Sequence, residues 1–412
     1  MTISIEEIRK DFPILDSGII YLDSAATSLT PEPVLNAIQG YYRNYNANVG
    51  RGVHRLTQIA SQKYEDAHMQ VAKFIGAKPQ EIIFTKNTTE GINMVASGIG
   101  LKKGDKVVFS LLEHHSNLLP WIRAKNKLGV ELEVVKPNVI PEDRDKTKCM
   151  LEISDFDEVI DERTKIVAIT HVSNALGVML PVKEISRLCR ENNSLLLVDA
   201  AQSVPHIPLD VKEIGCDFLA FSGHKMLGPT GIGGLVVKEE LMKEIEPLTV
   251  GGGAVEDASF VDYSLIGTYE RFESGTPNIA GAIGLSAAVG YLERIGMEKV
   301  KAQEEKLGTQ LIEGLREIEQ IEIYGGGSEA FELGRRIGTV SFNVKGMNPN
   351  DVALRLDREA AIIVRSGHHC CIPLMKYLGL DAEGTVRASV YLYNTEEEVE
   401  RFLEIVGLIS KG

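Results

Sequence analysis

Residues 195–225 read LLLVDAAQSVPHIPLDVKEIGCDFLAFSGHK, and this stretch decides the fold that we expect for the whole chain. Two short apolar runs, Leu195–Val198 and Phe218–Phe221, are typical of strands that are buried on both faces of a sheet. The first run leads into Asp199 and the second into the polar segment 222–225. Ligands of open parallel α/β sheets bind beyond the carboxyl ends of the strands, so we expect these polar residues to converge there.

An acid and a lysine at neighbouring strand ends suit the cofactor pyridoxal phosphate (PLP). A lysine holds the PLP aldehyde as a Schiff base, and an aspartate pairs with the protonated ring nitrogen. Lys225 and Asp199 fit these two roles. A buried ion pair without a catalytic role explains the same two residues, and both interpretations stay open at this point.

The composition is that of an acidic, globular protein. A chain of 412 residues favours two domains over one, and the net charge of −14 argues against general affinity for nucleic acid or an anionic membrane surface. We find no apolar run long enough to span a membrane and no pattern typical of a signal peptide. Five cysteines in so long a chain do not indicate a disulfide framework, so we expect a cytoplasmic protein.

The order of predicted elements indicates an α/β fold. Further strand-like runs at 81–84, 105–110 and 165–172 are separated by helical segments, which predicts a doubly wound, mostly parallel sheet. A long helical region at 279–319 then leads to strands at 336–344, 361–364 and 386–391. We therefore expect an N-terminal segment over 1–20, a large domain over 21–285 and a small domain over 286–412. Residues 137–150 are polar and rich in proline, and we expect a surface excursion there.

Three other segments carry candidate ligand residues. Thr88 and Thr89 precede a helix, where free N–H groups bind phosphate, although simple capping of the helix explains them as well. His114 follows a strand and is a candidate for stacking on a ring, for binding a metal, or for an ordinary loop position. His54 lies in the loop 46–57, which is either a solvated loop or a flap that meets an anionic substrate or a partner subunit.

Ten ordered motifs between Tyr21 and Thr395 resemble those of fold-type I PLP enzymes of the class V aminotransferase group. They are most similar to cysteine desulfurases of the Suf-type branch, which includes proteins also described as selenocysteine lyases. The resemblance implies a large domain with a mostly parallel sheet flanked by helices, and a smaller C-terminal α+β domain. The motifs are YLDSAAT, GRGVHRL, NTTEGIN, EHHSNLLPW, THVSNALG, VDAAQSVPH, DFLAFSGHKMLGPTGIG, RFESGTPN, VRSGHHC and VRASVYLYNT.

The resemblance implies a role for each residue of a PLP site. Lys225 matches the lysine that holds the aldehyde, Asp199 the partner of the ring nitrogen, and His114 the residue that stacks on the ring and assists proton transfer. Gln202 matches the contact to the ring's phenolic oxygen. The phosphate contacts match Thr88, Thr89, Ser222 and His224, with Thr276 contributed by the other subunit of a homodimer.

The resemblance also implies the reaction. Cys370 of the HHCC run matches a nucleophile that takes sulfur from L-cysteine, leaving L-alanine and a persulfide that passes to an acceptor protein, for iron–sulfur cluster assembly. Arg387 matches the residue that binds the substrate carboxylate. Asn174, His54 and Arg365 are further candidate substrate contacts. Selenocysteine lyase activity is the nearest alternative, and a non-catalytic scaffold or metal-binding protein is a remote one.

The HHCC run at 368–371 has two further interpretations. Four potential ligands in a row suggest a metal site, but adjacent residues of a strand point to opposite faces, and zinc ligands are usually spaced by two or more residues. We therefore expect no metal. Cys371 replaces the alanine common in this branch, and it is either a persulfide acceptor, a partner in an adjacent disulfide, or a small buried thiol.

Overall fold

The computed structural model describes residues 4–50, 52–136, 149–380 and 382–411. Most of the predicted excursion at 137–150 lies outside the described residues. The helices are α1 (Ile5–Arg9), α2 (Glu32–Asn44), α3 (Arg55–Phe74), α4 (Thr88–Gly98), α5 (Leu119–Leu128), α6 (Ile153–Asp157), α7 (Val182–Glu191), α8 (Val211–Ile214), α9 (Ile279–Ile295), α10 (Met297–Glu317), α11 (Glu329–Glu332), α12 (Pro349–Ala360), α13 (Ile372–Tyr377) and α14 (Glu396–Ile409).

The strands form two large sheets and two small ones. They are β1 (Ile20–Tyr21), β2 (Ile82–Thr85), β3 (Lys106–Ser110), β4 (Glu131–Val135), β5 (Thr164–Thr170), β6 (Leu195–Asp199), β7 (Phe218–Ser222), β8 (Gly233–Val237), β9 (Val255–Ala258), β10 (Tyr263–Leu265), β11 (Ile321–Tyr324), β12 (Thr339–Val344), β13 (Ile362–Ile363), β14 (Arg365–Gly367) and β15 (Thr385–Ser389).

The central sheet has seven strands in the order β2-β8-β7-β6-β5-β3-β4. The five strands from β7 to β4 are parallel, and β8 runs antiparallel to both of its neighbours, β7 and β2. The carboxyl ends of β2, β3, β5, β6 and β7 therefore share one edge of the sheet. The prediction of a mostly parallel α/β sheet is confirmed.

The inner strands of this sheet are mostly apolar because both of their faces are covered, whereas the edge strand β4 exposes Glu131 and Glu133. In β6, Leu196 and Val198 belong to one core cluster, while Leu197 belongs to the cluster on the opposite face. This alternation follows from the two-residue repeat of a strand. The covering helices leave only the polar residues at the strand ends beside open space.

The second sheet is antiparallel, with the order β11-β12-β15-β14, and it packs against α10 and α14 through its own apolar cluster. The predicted strand at 361–364 is confirmed as β13, which pairs with β1 and not with this sheet. β14, which begins at Arg365, takes the place at the sheet edge.

The predicted helical region at 279–319 is two helices. α9 ends and α10 begins at Gly296, whose φ of 91° a side chain would disfavour. α9 packs on α2 and α3 of the large core, and the boundary predicted at residue 285 falls inside it. We therefore propose Gly296 as the division between the two domains.

A backbone connection joins the two large sheets. The N–H of Ile337 donates to the carbonyl of Gly177 over 3.0 Å, and Val178 forms an isolated bridge with Arg336. A Cβ atom at Gly177 would lie 2.4 Å from the carbonyl oxygen of Thr339, so only glycine allows this approach. The segment that follows β5 is thus held against the strands of the second sheet.

The N-terminal segment begins with the predicted capping box, in which Ser4 caps α1. Phe12 is buried between the rings of Tyr291 and Tyr393, so the segment contacts both α9 and the C-terminal region. Among the described residues, no helix combines the length and the apolar character needed to cross a bilayer.

Candidate active site

A cavity of about 170 Å³ lies at the carboxyl edge of the central sheet. It gathers most of the side chains that the sequence predicts for a PLP site. Those that line it are Thr88, Thr89, His114, Asn174, Asp199, Gln202, Ser222, His224, Lys225 and Arg365.

Asp199 is the last residue of β6 and lies at the floor of the cavity, with 3% of its surface exposed. One carboxylate oxygen accepts the backbone N–H of Ala201 over 3.0 Å. Burial raises the pKa of Asp199, whereas that hydrogen bond and the charge of Lys225 lower it. A cation placed against this carboxylate would favour its ionised form.

Lys225 ends the short turn of 3₁₀ helix that follows β7. The pKa of its amine is lowered to about 8, chiefly by burial; Asp199 and Cys370 oppose this shift, whereas the charges of Arg387 and Arg365 add to it. Both the neutral and the protonated amine are therefore present near neutral pH. A lysine with such a pKa serves as a nucleophile toward an aldehyde and as a proton carrier.

The start of α4 provides the predicted anion site. Asn87 caps the helix, so the capping alternative applies to Asn87, while Thr88 and Thr89 face the cavity. The hydroxyls of Thr88 and Ser222 are 2.7 Å apart, and the N–H of Thr88 donates to Ser222 over 2.9 Å. Burial lowers the pKa of His224 to about 4, so its ring is neutral and can donate one N–H. Hydroxyls and N–H groups at a helix start suit a phosphate.

His114 presents a neutral ring to the cavity. Its Nδ1 accepts the backbone N–H of Ser116 over 3.1 Å, which leaves the ring proton on Nε2. Burial lowers the pKa of His114 to about 3, with a further contribution from the charge of Lys225. An uncharged flat ring in this position is suited to stacking on another ring.

Gln202 has an unused polar atom at the cavity. Its Nε2 donates to the carbonyl of Ala25 over 2.7 Å, whereas its Oε1 is buried and has no hydrogen-bond partner among the described residues. A bound group with polar atoms would satisfy the amide. The cavity thus combines an acid, an amide, and hydroxyls at a helix start, a set of groups that suits a cofactor with a ring nitrogen and a phosphate.

Cys370 lies beside this cavity in a strained turn. The φ angles of His369 and Cys370 are 50° and 61°, so two consecutive residues with side chains adopt left-handed conformations. This costs about 1–2 kcal/mol for each residue. The assumption that the HHCC run continues a strand was therefore wrong, because β14 ends at Gly367 and the chain turns sharply at His369 and Cys370.

Hydrogen bonds from several elements hold this turn in place. Asn174 Nδ2 donates to the carbonyl of His369 over 2.7 Å, and the N–H of His115 donates to the carbonyl of Cys370 over 2.8 Å. The ring Nε2 of His369 lies 2.9 Å from Thr385 Oγ1. At about 1 kcal/mol each, these contacts are of the size needed to offset the backbone strain.

Two arginines bring positive charge to the nucleophile side. Arg365 Nη2 lies 3.5 Å from Cys370 Sγ. Arg387 is fully buried, donates through Nη1 to the carbonyl of Asn174 over 3.0 Å, and pairs through Nη2 with Asp23 over 2.8 Å. Its Nε has no hydrogen-bond partner in the part of the chain that the structure describes. A carboxylate that enters beside these guanidinium groups would be bound by fixed donors.

Two predicted site residues are not brought to this cavity within one chain. His54 and Thr276 line a second cavity of about 820 Å³, together with Tyr64 and Glu273. His54 accepts the N–H of Thr57 through Nδ1 and thus caps α3. The predicted roles of Thr276, at the cofactor phosphate, and of His54, at the substrate, therefore stay predictions.

Sequence reasoning assigned no role to two acidic residues near the site. Glu113 lies three residues after β3, much as Asp199 ends β6, and this position at the carboxyl edge of the sheet is the signal that would have found it. Ser110 and Asn117 donate to its two oxygens, over 2.5 and 2.7 Å, and burial raises its pKa to about 8. Asp23, the carboxylate paired with Arg387, lies in the quoted motif YLDSAAT.

Comparison with known proteins gives consistent matches over the whole chain. The profile of the family described as Aminotransferase class-V matches residues 20–402. A protein named probable cysteine desulfurase from Pyrococcus abyssi is 50% identical over 410 residues, 99% of this chain and 98% of that protein.

Solved structures agree with this match. The apo structure of a cysteine desulfurase from Thermococcus onnurineus is 49% identical, with a TM-score of 0.93 over 100% of this chain and 99% of that one. A cysteine desulfurase from Escherichia coli in an S-sulfonic acid form is 32% identical, with a TM-score of 0.88 over 99% of both chains.

Proposed function

Because the chain belongs to the aminotransferase class-V family, we propose that it is a PLP-dependent L-cysteine desulfurase. It converts L-cysteine to L-alanine and leaves the sulfur as a persulfide on Cys370. The observation that carries the proposal is the position of the half-buried Cys370 thiol beside the cavity that contains Lys225 and Asp199.

PLP, when bound, supplies an electron sink that stabilises negative charge at the Cα atom of the substrate. Asp199 would pair with the ring nitrogen and keep it protonated, His114 would stack on the ring, and the start of α4 with Ser222 would bind the phosphate. Each assignment rests on the donors and acceptors described above, and on the unused amide oxygen of Gln202.

Lys225 carries the protons of the reaction. Its pKa near 8 lets the neutral amine accept the proton of the substrate Cα and lets the ammonium return one to the product. Arg387 binds the α-carboxylate. Its buried position, with two N–H groups already anchored by Asp23 and Asn174, holds the guanidinium in one orientation.

Cys370 performs the sulfur transfer. As its Sγ forms a bond to the substrate sulfur, the bond between that sulfur and Cβ breaks, and the electron pair of the broken bond stays with the carbon skeleton. That skeleton takes up protons and leaves as alanine. Arg365, 3.5 Å from Sγ, places positive charge beside the attacking sulfur.

We further propose a cytoplasmic homodimer that passes the persulfide to an acceptor protein, with iron–sulfur cluster assembly as its purpose. The dimer is supported by Thr276 and His54, which within one chain lie at the second cavity rather than near Lys225. A second copy would bring these residues to the cofactor site of its partner.

The test is to incubate the holoenzyme with L-cysteine and to measure alanine and sulfide. We expect equal amounts of both products in the presence of a thiol reductant, and loss of both in Cys370→Ala. Cys189→Ala removes a buried thiol on α7 and is the matched control. Full turnover of L-cysteine by Cys370→Ala would contradict the mechanism. Turnover of L-selenocysteine alone by that variant would identify the lyase alternative.

A further inference from the structure

The two adjacent cysteines have different surroundings. Cys370 is half-buried and faces Arg365, whereas Cys371 is completely buried. The S–H group of Cys371 donates to the side-chain oxygen of Asn174, with Sγ 3.2 Å from Oδ1. The two sulfur atoms therefore contact different groups, and neither contact involves the other sulfur.

Asn174 connects Cys371 with the nucleophile turn. Its Nδ2 donates to the carbonyl of His369 over 2.7 Å, and its backbone carbonyl accepts Nη1 of Arg387 over 3.0 Å. Because a carbonyl only accepts hydrogen bonds, Nδ2 must face His369 and Oδ1 must face Cys371. One amide thus spans the thiol of Cys371 and the left-handed turn that carries Cys370.

We propose that Cys371 is a positioning residue for Cys370. Its thiol holds the Asn174 amide in the orientation that fixes the turn containing Cys370, and it does not receive the persulfide sulfur during the reaction. This inference rests on the proposed function, since it concerns the same nucleophile. It replaces the earlier alternatives for Cys371, a persulfide acceptor or a partner in an adjacent disulfide.

The chemistry of the buried thiol agrees with a donor role. Burial raises the pKa of Cys371 to about 12, so the thiol keeps its hydrogen throughout the physiological range. Without that donor, Oδ1 of Asn174 would be an unsatisfied acceptor on a side chain that also lines the cavity. The amide would then be free to turn toward the cavity and release the carbonyl of His369.

Two substitutions separate the donor role from sulfur chemistry. Cys371→Ser keeps a hydroxyl donor but has no sulfur, and Cys371→Ala has neither. In the holoenzyme with L-cysteine, we expect Cys371→Ala to lower kcat about fivefold, the factor that corresponds to one ordinary hydrogen bond, with KM unchanged. We expect Cys371→Ser to retain the kcat of the parent. Cys216→Ala, which removes another buried thiol whose pKa is raised to about 12, is the matched control.

A second measurement does not depend on turnover. Alkylation of Cys370 by iodoacetamide in the holoenzyme without substrate, followed by mass spectrometry of its peptide, reports on the turn alone. We expect faster alkylation in Cys371→Ala and the parental rate in Cys371→Ser. If the parent formed no alanine, the proposed function would fail, while the alkylation rates would still test the positioning role.

Three results would overturn the inference. Parental kcat and alkylation in Cys371→Ala would show that the hydrogen bond does not matter. An equal loss of kcat in the alanine and serine variants would show that sulfur at 371 is needed. A persulfide found on Cys371 during turnover would show that it carries sulfur. Should Cys371→Ala fail to fold, Cys371→Ser still tests the inference, because a kcat below that of the parent or faster alkylation in this variant would overturn it.

Discussion

The lowered pKa of Lys225 predicts how the apoenzyme takes up its cofactor. Only the neutral amine attacks an aldehyde, so the rate of attachment should follow the neutral fraction of Lys225. With a pKa of about 8 rather than 10.5, that fraction rises from about 9% at pH 7 to about 91% at pH 9. We therefore expect the rate to increase about tenfold over this interval and then to level off.

The assay mixes apoenzyme with PLP at a series of pH values, stops the reaction with borohydride and measures covalent attachment by intact mass. The range above pH 9 decides the matter. A lysine with an ordinary pKa would give an increase of about eightfold between pH 9 and 10, whereas Lys225 should give almost none. An increase that continues through this range would refute the reasoning.

Paired variants test the cause of the shift. Arg365→Gln removes a cation that lowers the pKa of Lys225, so the midpoint of the rate profile should move to higher pH. Arg163→Gln removes an exposed cation that pairs with Glu131 and Asp161 instead, and it should leave the midpoint unchanged. Equal midpoints in all three proteins would show that Arg365 does not act on Lys225.

Two further substitutions test the surrounding residues. In steady-state kinetics, Arg387→Lys should raise KM for L-cysteine at least about tenfold. The reason is that a lysine cannot donate to the Asn174 carbonyl and also form two parallel hydrogen bonds to a carboxylate. An unchanged KM would show that the substrate carboxylate binds elsewhere. The turnover rate of Glu113→Gln should equal that of the parent well below pH 8 and differ from it only above that pH, because the buried carboxyl, with a pKa of about 8, is protonated at lower pH. A difference between the two pH–rate profiles at pH 6 would contradict this.

The sequence predicted those parts of the fold and site that depend on local patterns. Asp199 and Lys225 follow uniformly apolar strands, so their strand ends and their convergence could be inferred from the two-residue repeat and from sheet topology. The break at Gly296 was not inferred, because helical periodicity continues on both sides of it. A single glycine in a helical pattern does not reveal whether the backbone turns there.

Other features depend on contacts between distant parts of the chain. The left-handed conformation of His369 and Cys370 is stabilised by Asn174, nearly 200 residues away, and no local signal reports it. The pairing of Asp23 with Arg387 likewise joins the segment after the first strand to the last strand of the fold. The roles of the individual site residues remain predictions, for which the variants above provide the tests.

The close approach of Gly177 to the carbonyl of Thr339 suggests a position at which the enzyme could be engineered. Any side chain there would press on the carbonyl of Thr339 and act as a wedge between the two sheets. The cradle around Lys225 is built on one sheet, whereas Cys370 follows a strand of the other. A bulky, removable group attached at position 177 would therefore be expected to leave PLP bound but to move Cys370 away from it. Sulfur transfer would resume when the group is removed.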